Sequence, residues 1–187
     1  MAYPVTTCYG AEDLDWLRAE LGIAHLELDP WGSLIVSPAT DEHERAVALL
    51  HSQADRQLGL APGCVMSNGI AWKVPGGSGY LNVPDLAVVA PGWQRAEAEH
   101  LDPPPLLVVE VASPSTRPVD RGRKLTDYRL GGAGLYVLVD LPAGSAATDV
   151  TLEAHHFATG QLVVATNVID LVVDGRDLRL DLSTFAG

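Results

Sequence analysis

The stretch Leu106-Leu107-Val108-Val109-Glu110-Val111-Ala112 decides the fold, because it is apolar at every position except Glu110. A short apolar run of this kind is typical of a central strand that helices cover on both faces. Burying a carboxylate costs free energy unless the group is paired or binds a metal. Glu110 is therefore either a strand-end glutamate that reaches solvent or one arginine, or a residue of a functional site.

Downstream of this strand the sequence predicts a helix and a second apolar strand. Pro118 fits the first turn of a helix that runs to about Leu130 and stops at Gly131-Gly132. Leu135 to Asp140 then reads as a strand. Strand, helix and strand in this order predict a right-handed parallel crossover. We therefore expect an α/β fold in which helices flank a mixed β-sheet.

The remaining elements follow from apolar periodicity and turn residues. Residues 150–187 alternate enough to give two or three outer strands. Upstream we predict a helix at 12–21, a hairpin of strands at 25–28 and 34–37, a helix from Thr40 or Asp41 to about Leu58, strands at 64–74 and 80–89, and a loop at 91–105.

Asp85 is a second carboxylate in an apolar setting, directly after Pro84. Proline removes a backbone donor from the strand ladder, so a bulge or a sheet edge is expected there. Bulges often redirect a side chain beside an active site. The alternative is a local kink whose carboxylate is solvated.

Lys124 is one of only two lysines in the chain, the other being Lys73. Asp120, Lys124 and Tyr128 are spaced four apart and therefore share one face of the predicted helix. An exposed Asp120–Lys124 ion pair would explain the lysine without any function.

Two carboxylates on adjacent strands, with a lysine nearby, form a set that suits hydrolysis of a phosphodiester bond. Asp85 and Glu110 would hold a hard divalent cation such as Mg²⁺ or Mn²⁺ through oxygen ligands. Lys124 would orient the attacking water or offset negative charge in the transition state.

Four segments of the chain resemble the bacterial Uma-type family of putative restriction endonucleases, in the PD-(D/E)XK nuclease superfamily. They are Pro84-Asp85, the run Val109-Glu110-Val111-Ala112-Ser113-Pro114-Ser115, the set Asp120, Lys124 and Tyr128, and Tyr136-Val137-Leu138-Val139-Asp140. The resemblance covers the chain from about Leu26 onward and is specific between Pro84 and Asp140. It implies a restriction-endonuclease-like core, Mg²⁺- or Mn²⁺-dependent cleavage, DNA as the substrate and a homodimer.

The chain departs from the superfamily pattern at one position. That pattern places lysine two residues after the acid, where this chain has Ala112. The family is similar in placing its lysine on the following helix, which matches Lys124. The superfamily often takes a further acid from its first core helix, and Glu42, His43 or Glu44 would serve here.

Charge argues both ways about nucleic acid. The formal net charge of −12 would repel a duplex at long range. A basic rim would offset this, since five basic residues fall within one short segment: Arg117, Arg121, Arg123, Lys124 and Arg129. The expected function is a nuclease. The alternative is a catalytically inactive nuclease-fold protein that acts as a DNA-binding or protein-interaction module, and a glycosidase-type carboxylate pair is less supported.

Bulk properties indicate one domain over residues 1–187 of a cytoplasmic protein. The length suits one domain. No run reaches the roughly 18 apolar residues of a membrane helix, and the N-terminus lacks a secretory pattern. Cys8 and Cys64 lie far apart and form no metal-type pair, which fits a reducing compartment.

Overall fold

The structure is a computed structural model that describes residues 8–22, 26–36, 40–58, 71–74, 76–90, 104–141 and 149–184. The first half contains a 3₁₀ turn at Ala11–Asp13, then α1 (Leu14–Leu21), β1 (Leu26–Leu28), β2 (Leu34–Val36), α2 (Asp41–Leu58), β3 (Trp72–Lys73), β4 (Leu81–Asn82) and β5 (Leu86–Val88). The second half contains β6 (Leu107–Ala112), α3 (Arg117–Val119), a π-helical turn at Asp120–Lys124, α4 (Leu125–Leu130), β7 (Leu135–Asp140), β8 (Thr151–His156), β9 (Gln161–Thr166), β10 (Val168–Val173) and β11 (Arg176–Asp181).

A five-stranded mixed sheet in the order β5-β6-β7-β8-β9 forms the centre of the fold. β6 and β7 are parallel, and the other neighbours are antiparallel. The predicted strand–helix–strand crossover is thus confirmed, with α3 and α4 as its helical part. Every residue of β6 is buried, as expected for a central strand covered on both faces. The chain therefore has the predicted α+β mixed architecture of a restriction-endonuclease-like core.

The two faces of this sheet pack against different helices. Val109 and Val111 pack in one apolar cluster with α2 and the β10–β11 hairpin. Val108 and Ala112 pack in a second cluster, with Tyr128 of α4. Because side chains alternate along a strand, Glu110 lies on the second face. The pleat of β6 therefore directs this carboxylate toward the helix that follows the strand.

The predicted continuous strand at 80–89 is wrong, because the chain breaks there and changes sheets. β4 belongs to a four-stranded sheet in the order β2-β1-β4-β3, whereas β5 belongs to the five-stranded sheet. The break spans residues 83–85 and includes Pro84, which has no backbone N–H to donate to a ladder. The break places Asp85 at the point where the two sheets meet.

Two glutamines of α2 bind the backbone of β11. Gln53 donates through Nε2 to the Asp181 carbonyl (2.6 Å) and accepts from the Asp181 N–H (2.7 Å). Gln57 repeats the pattern with the Arg179 carbonyl (2.7 Å) and N–H (2.8 Å). These four bonds fix the second half of α2 along β11.

Other differences from the sequence prediction are local. The C-terminal region has four strands instead of two or three, because β10 and β11 form a separate two-stranded sheet. The predicted strand at 64–74 is described only from residue 71, and the loop at 91–105 only from 104, so both lie mainly outside the described residues. Across the described ranges no helix is long and apolar enough to cross a membrane.

Candidate active site

A cavity of about 370 Å³ lies where β1, the break before β5, β6, the start of α2 and the π-helical turn meet. Four carboxylates line it together with a lysine and a histidine: Glu27, Asp85, Glu110, Asp120, Lys124 and His43. The carboxylates and Lys124 are buried, with exposed fractions of 2–8%. So many ionised groups are expensive to bury unless they are paired or bind a ligand, which marks this cavity as the candidate site.

Asp85 and Glu110 both line this cavity. Asp85 directly precedes β5, the strand that pairs with β6 from Leu86 and Val109 onward. Asp85 Oδ2 accepts hydrogen bonds from the Val111 N–H (2.7 Å) and from His43 Nε2 (3.3 Å).

Glu110 receives two donors on a single oxygen. The Tyr128 hydroxyl donates to Glu110 Oε1 over 2.5 Å, and Lys124 Nζ lies 3.1 Å from the same atom. Tyr128 is itself fully buried, stacked on Trp72 with ring centroids 5.5 Å apart. The ring stack fixes the tyrosine, and the tyrosine fixes the carboxylate.

Lys124 reaches the cavity from the π-helical turn that joins α3 to α4. Such turns are inserted into helices frequently at functional sites. Its Nζ lies 2.7 Å from Glu27 Oε1, 3.1 Å from Glu110 Oε1 and 3.5 Å from Asp120 Oδ1. The ammonium thus lies among three carboxylates and does not extend into solvent.

The environment moves the pKa values of these groups in different directions. Burial raises the pKa of Glu110 well above its usual range, although the Lys124 charge opposes this. For Asp85 burial also favours the neutral acid, but the hydrogen bond and charge of His43 outweigh it and lower the pKa. Burial would lower the pKa of Lys124, but Glu110 and Glu27 reverse the effect and raise it. Divergent carboxylate pKa values within one cavity are typical of functional sites.

The structure brings most of the candidate residues from the sequence together. Asp85, Glu110, Lys124, Asp120, Tyr128 and His43 all lie in the cavity or contact its lining residues. Glu44 does not line the cavity and is exposed on α2, as is Glu42. Of the three residues of the first core helix, His43 is thus the one that the helix turns toward Asp85, and its backbone N–H is capped by Thr40 Oγ1 at 3.2 Å.

Two arginines of the expected basic rim, Arg117 and Arg121, are paired with the protein's own carboxylates. Arg117 forms an ion pair with Asp140. Arg121 bridges Asp140 at 3.0 Å and Glu153 at 2.5 Å. The sequence showed the arginines clustered but not their partners, which come from β7 and β8.

Sequence reasoning missed Glu27, the nearest carboxylate to Lys124. The signal was present, because Glu27 is the polar residue in the run Leu26-Glu27-Leu28, just as Glu110 interrupts its own apolar run. Alternation in a hairpin strand suggests an outward glutamate. The structure buries all three residues of β1 instead, because the outward face of this strand is the wall of the cavity.

The donor set fits a hard divalent cation. Within the described ranges no group of three or more His, Cys, Asp or Glu side chains is arranged to hold a metal ion. Mg²⁺, however, is usually held by one or two carboxylates and keeps several waters. Asp85 and Glu110 both line the cavity and carry oxygen donors of the kind that Mg²⁺ takes.

The comparison with protein families agrees with this geometry. The Uma2 family model, described as "Putative restriction endonuclease", matches residues 12–172. The match spans all the cavity residues and most of the chain. No curated protein matches this sequence.

Proposed function

Because the chain belongs to the Uma2 family of putative restriction endonucleases, we propose that it is a metal-dependent nuclease that hydrolyses phosphodiester bonds in DNA. The observation that carries the proposal is Lys124 Nζ, 3.1 Å from Glu110 Oε1, in a cavity that Asp85 also lines. Two acids and one lysine are the groups that this hydrolysis needs.

In the proposed active site Asp85 and Glu110 hold Mg²⁺ or Mn²⁺. When bound, the cation supplies a Lewis acid for the phosphate and lowers the pKa of a bound water. His43 and the Val111 N–H hold the Asp85 carboxylate in position. Tyr128 does the same for Glu110.

Lys124 takes the role that Ala112 cannot take at the usual superfamily position. Its three N–H groups are donors, and the neighbouring carboxylates raise its pKa despite burial and keep it charged. A charged lysine fixed beside the reacting phosphate orients the attacking water and offsets the negative charge that develops in the transition state.

The alternative is a nuclease-fold protein without catalysis that acts as a DNA-binding or protein-interaction module. Two observations favour it: the net charge of −12, and the pairing of Arg117 and Arg121 with carboxylates instead of leaving them available to phosphates. The two proposals differ in what the cavity binds, because only the nuclease requires a cation at Asp85 and Glu110.

A cleavage screen tests the proposal. The protein is incubated with Mg²⁺ or Mn²⁺ and with plasmid, linear duplex, single-stranded DNA or RNA, beside Asp85→Asn as the matched inactive variant. Metal-dependent cleavage by the wild type alone supports the nuclease. Loss of cleavage on every substrate, with no measurable cation binding, supports the alternative.

The organisation of residues 1–187 as one domain and the homodimer are further proposals. For the dimer, the outer strand β9 exposes Leu162 and Val164, and two-fold pairing is the commonest assembly. Light scattering at micromolar concentration checks this, and a monomeric mass would contradict it.

A further inference from the structure

The closest partner of Lys124 is an acid to which the proposed chemistry gives no part. Glu27 Oε1 lies 2.7 Å from Lys124 Nζ, nearer than either Glu110 or Asp120. Glu27 lies on β1 in the four-stranded sheet, whereas Glu110 lies on β6 in the five-stranded sheet. The lysine is therefore held from two separate sheets.

Glu27 is rigidly placed. β1 is a central strand of its sheet and is paired on both sides: Glu27 faces Ile35 of β2, and Leu28 faces Leu81 of β4. Glu27 Oε1 also accepts a hydrogen bond from the Val83 N–H (3.3 Å), and Oε2 lies 3.5 Å from Arg123 Nη2. Both oxygens thus contact groups other than Lys124, so the carboxylate is held in position independently of the ammonium.

Glu110 and Asp120 hold the Lys124 ammonium less firmly once a cation occupies the proposed site. Glu110 shares its charge with a cation in the proposed function, and two positive charges beside one carboxylate repel each other. Asp120 is 3.5 Å away, which is long for a charge-assisted hydrogen bond. Lysine has a flexible four-carbon side chain, so without a further contact it would leave its place.

We infer that Glu27 is the positioning residue that keeps the Lys124 ammonium in the cavity, including when Glu110 is engaged by a cation. With a cation at Glu110, the ammonium donates one N–H to Glu27, and its other N–H groups are available to water or phosphate. This inference rests on the proposed function for its catalytic consequence, but the anchoring of Lys124 by Glu27 is measurable without any cleavage.

The alternative is that the Glu27 contacts merely join β1 to the helical segment. Such a structural ion pair would affect stability when broken but would leave the lysine held by Glu110 and Asp120. The two explanations therefore differ in the mobility of one side chain, Lys124.

The chain offers a direct probe, because Lys73 and Lys124 are its only lysines. Protein labelled with ¹³C-lysine gives two sets of side-chain NMR signals, which Lys73→Arg assigns. The variants are Glu27→Gln, Glu27→Asp, which keeps the charge on a shorter arm, and Glu20→Gln, the same substitution at an exposed position of α1. Circular dichroism confirms folding before each measurement.

We expect the ε-carbon signal of Lys124 to relax as a rigid group in the wild type and in Glu20→Gln. In Glu27→Gln it should relax as a mobile side chain, with Glu27→Asp between them and the Lys73 signal unchanged. On cleaved substrate, Glu27→Gln should lower kcat about 10-fold or more at nearly constant KM, and Glu27→Asp should recover part of it. If Glu27→Gln does not fold, Glu27→Asp alone must show the partial release.

A Lys124 signal that stays rigid in a folded Glu27 variant overturns the inference, whatever the cleavage result. Release of Lys124 in a protein that cleaves nothing would leave the anchoring standing and remove the proposed nuclease function. The two failures are thus distinguished.

Discussion

The Tyr128 hydroxyl donates a 2.5 Å hydrogen bond to Oε1 of Glu110, the buried carboxylate of the central strand. Tyr136 is a neighbouring buried tyrosine whose hydroxyl donates to the backbone carbonyl of Asp120 at 3.1 Å instead. The two rings lie 5.4 Å apart in the same cluster. Of these two hydroxyls, that of Tyr128 bonds to Glu110. Substitutions at the two tyrosines therefore distinguish the orientation of the Glu110 carboxylate from the packing of the cluster.

Tyr128→Phe should weaken Mg²⁺ binding by about 10–100-fold, the usual effect of losing an outer partner of a metal ligand. Without the hydroxyl, Glu110 loses a donor that fixes its orientation. Tyr136→Phe, the matched control, removes a hydroxyl from the same cluster and should leave the Mg²⁺ affinity nearly unchanged. Calorimetric titration measures both, and equal losses in the two variants would refute the positioning role of Tyr128.

Lys124→Met should lower Mg²⁺-dependent cleavage by about 10²–10³-fold, the usual effect of losing a group that stabilises transition-state charge. Metal binding should persist, because the methionine leaves Asp85 and Glu110 in place. Lys73→Met, at the other lysine, should retain activity. Both variants are measured on one substrate under single-turnover conditions. Full activity in Lys124→Met would leave a buried ion pair with a purely structural role as the better account of this lysine.

Asp85→Asn and Glu110→Gln should each weaken Mg²⁺ binding by more than about 100-fold, because a direct ligand contributes more than an outer partner. Asp170→Asn is the control, since Asp170 lies on the β10–β11 hairpin in an exposed pair with Arg179. Calorimetry and cleavage are measured on the same preparations. Wild-type Mg²⁺ affinity in either cavity variant would show that the substituted carboxylate is not a metal ligand.

His43 should make stability depend on pH through its contact with Asp85. Burial alone would lower the pKa of His43, but the hydrogen bond and charge of Asp85 raise it above its usual value. A raised folded-state pKa means that His43 stabilises the fold fully below its unfolded pKa, and that this contribution is lost as pH rises through the folded value. The free energy of unfolding of the wild type should therefore exceed that of His43→Asn most at about pH 5.5 and least at about pH 9.

His155→Asn supplies a control of opposite sign. Burial lowers the pKa of His155, so the wild type should lose stability relative to this variant as pH falls. Urea unfolding at several pH values measures both differences. A His43 difference that does not change with pH would mean that the Asp85 contact does not persist in solution.

The central strand and its crossover could be predicted because their signals are local. The apolar run around Glu110, the glycines after Leu130 and the next apolar run together require one parallel pair. The spacing of Asp120 and Lys124 also held, since their side chains remain 3.5 Å apart although the helix there is a π-helical turn.

What failed depended on partners that are distant in the sequence. Pro84 signalled a break, but not that the two halves of the strand would join different sheets. Arg121 looked available to phosphates because Glu153, its partner at 2.5 Å, lies 32 residues further along the chain. Glu27 interrupts a short apolar run, but only the fold shows that Lys124 lies against its strand.

The glutamine bonds between α2 and β11 have a consequence for the cavity at the other end of the helix. Gln53 is ten residues beyond His43, about 15 Å along a helix that rises 1.5 Å per residue. These bonds hold the second half of α2 against β11. They therefore limit movement of the helix along its own axis, and with it the position at which His43 contacts Asp85. Gln53→Ala, which touches nothing in the cavity, should loosen the His43–Asp85 contact, and the His43 imidazole signals in NMR would report it. The hydrogen bonds between α2 and β11 would then determine where His43 contacts Asp85 in the proposed active site.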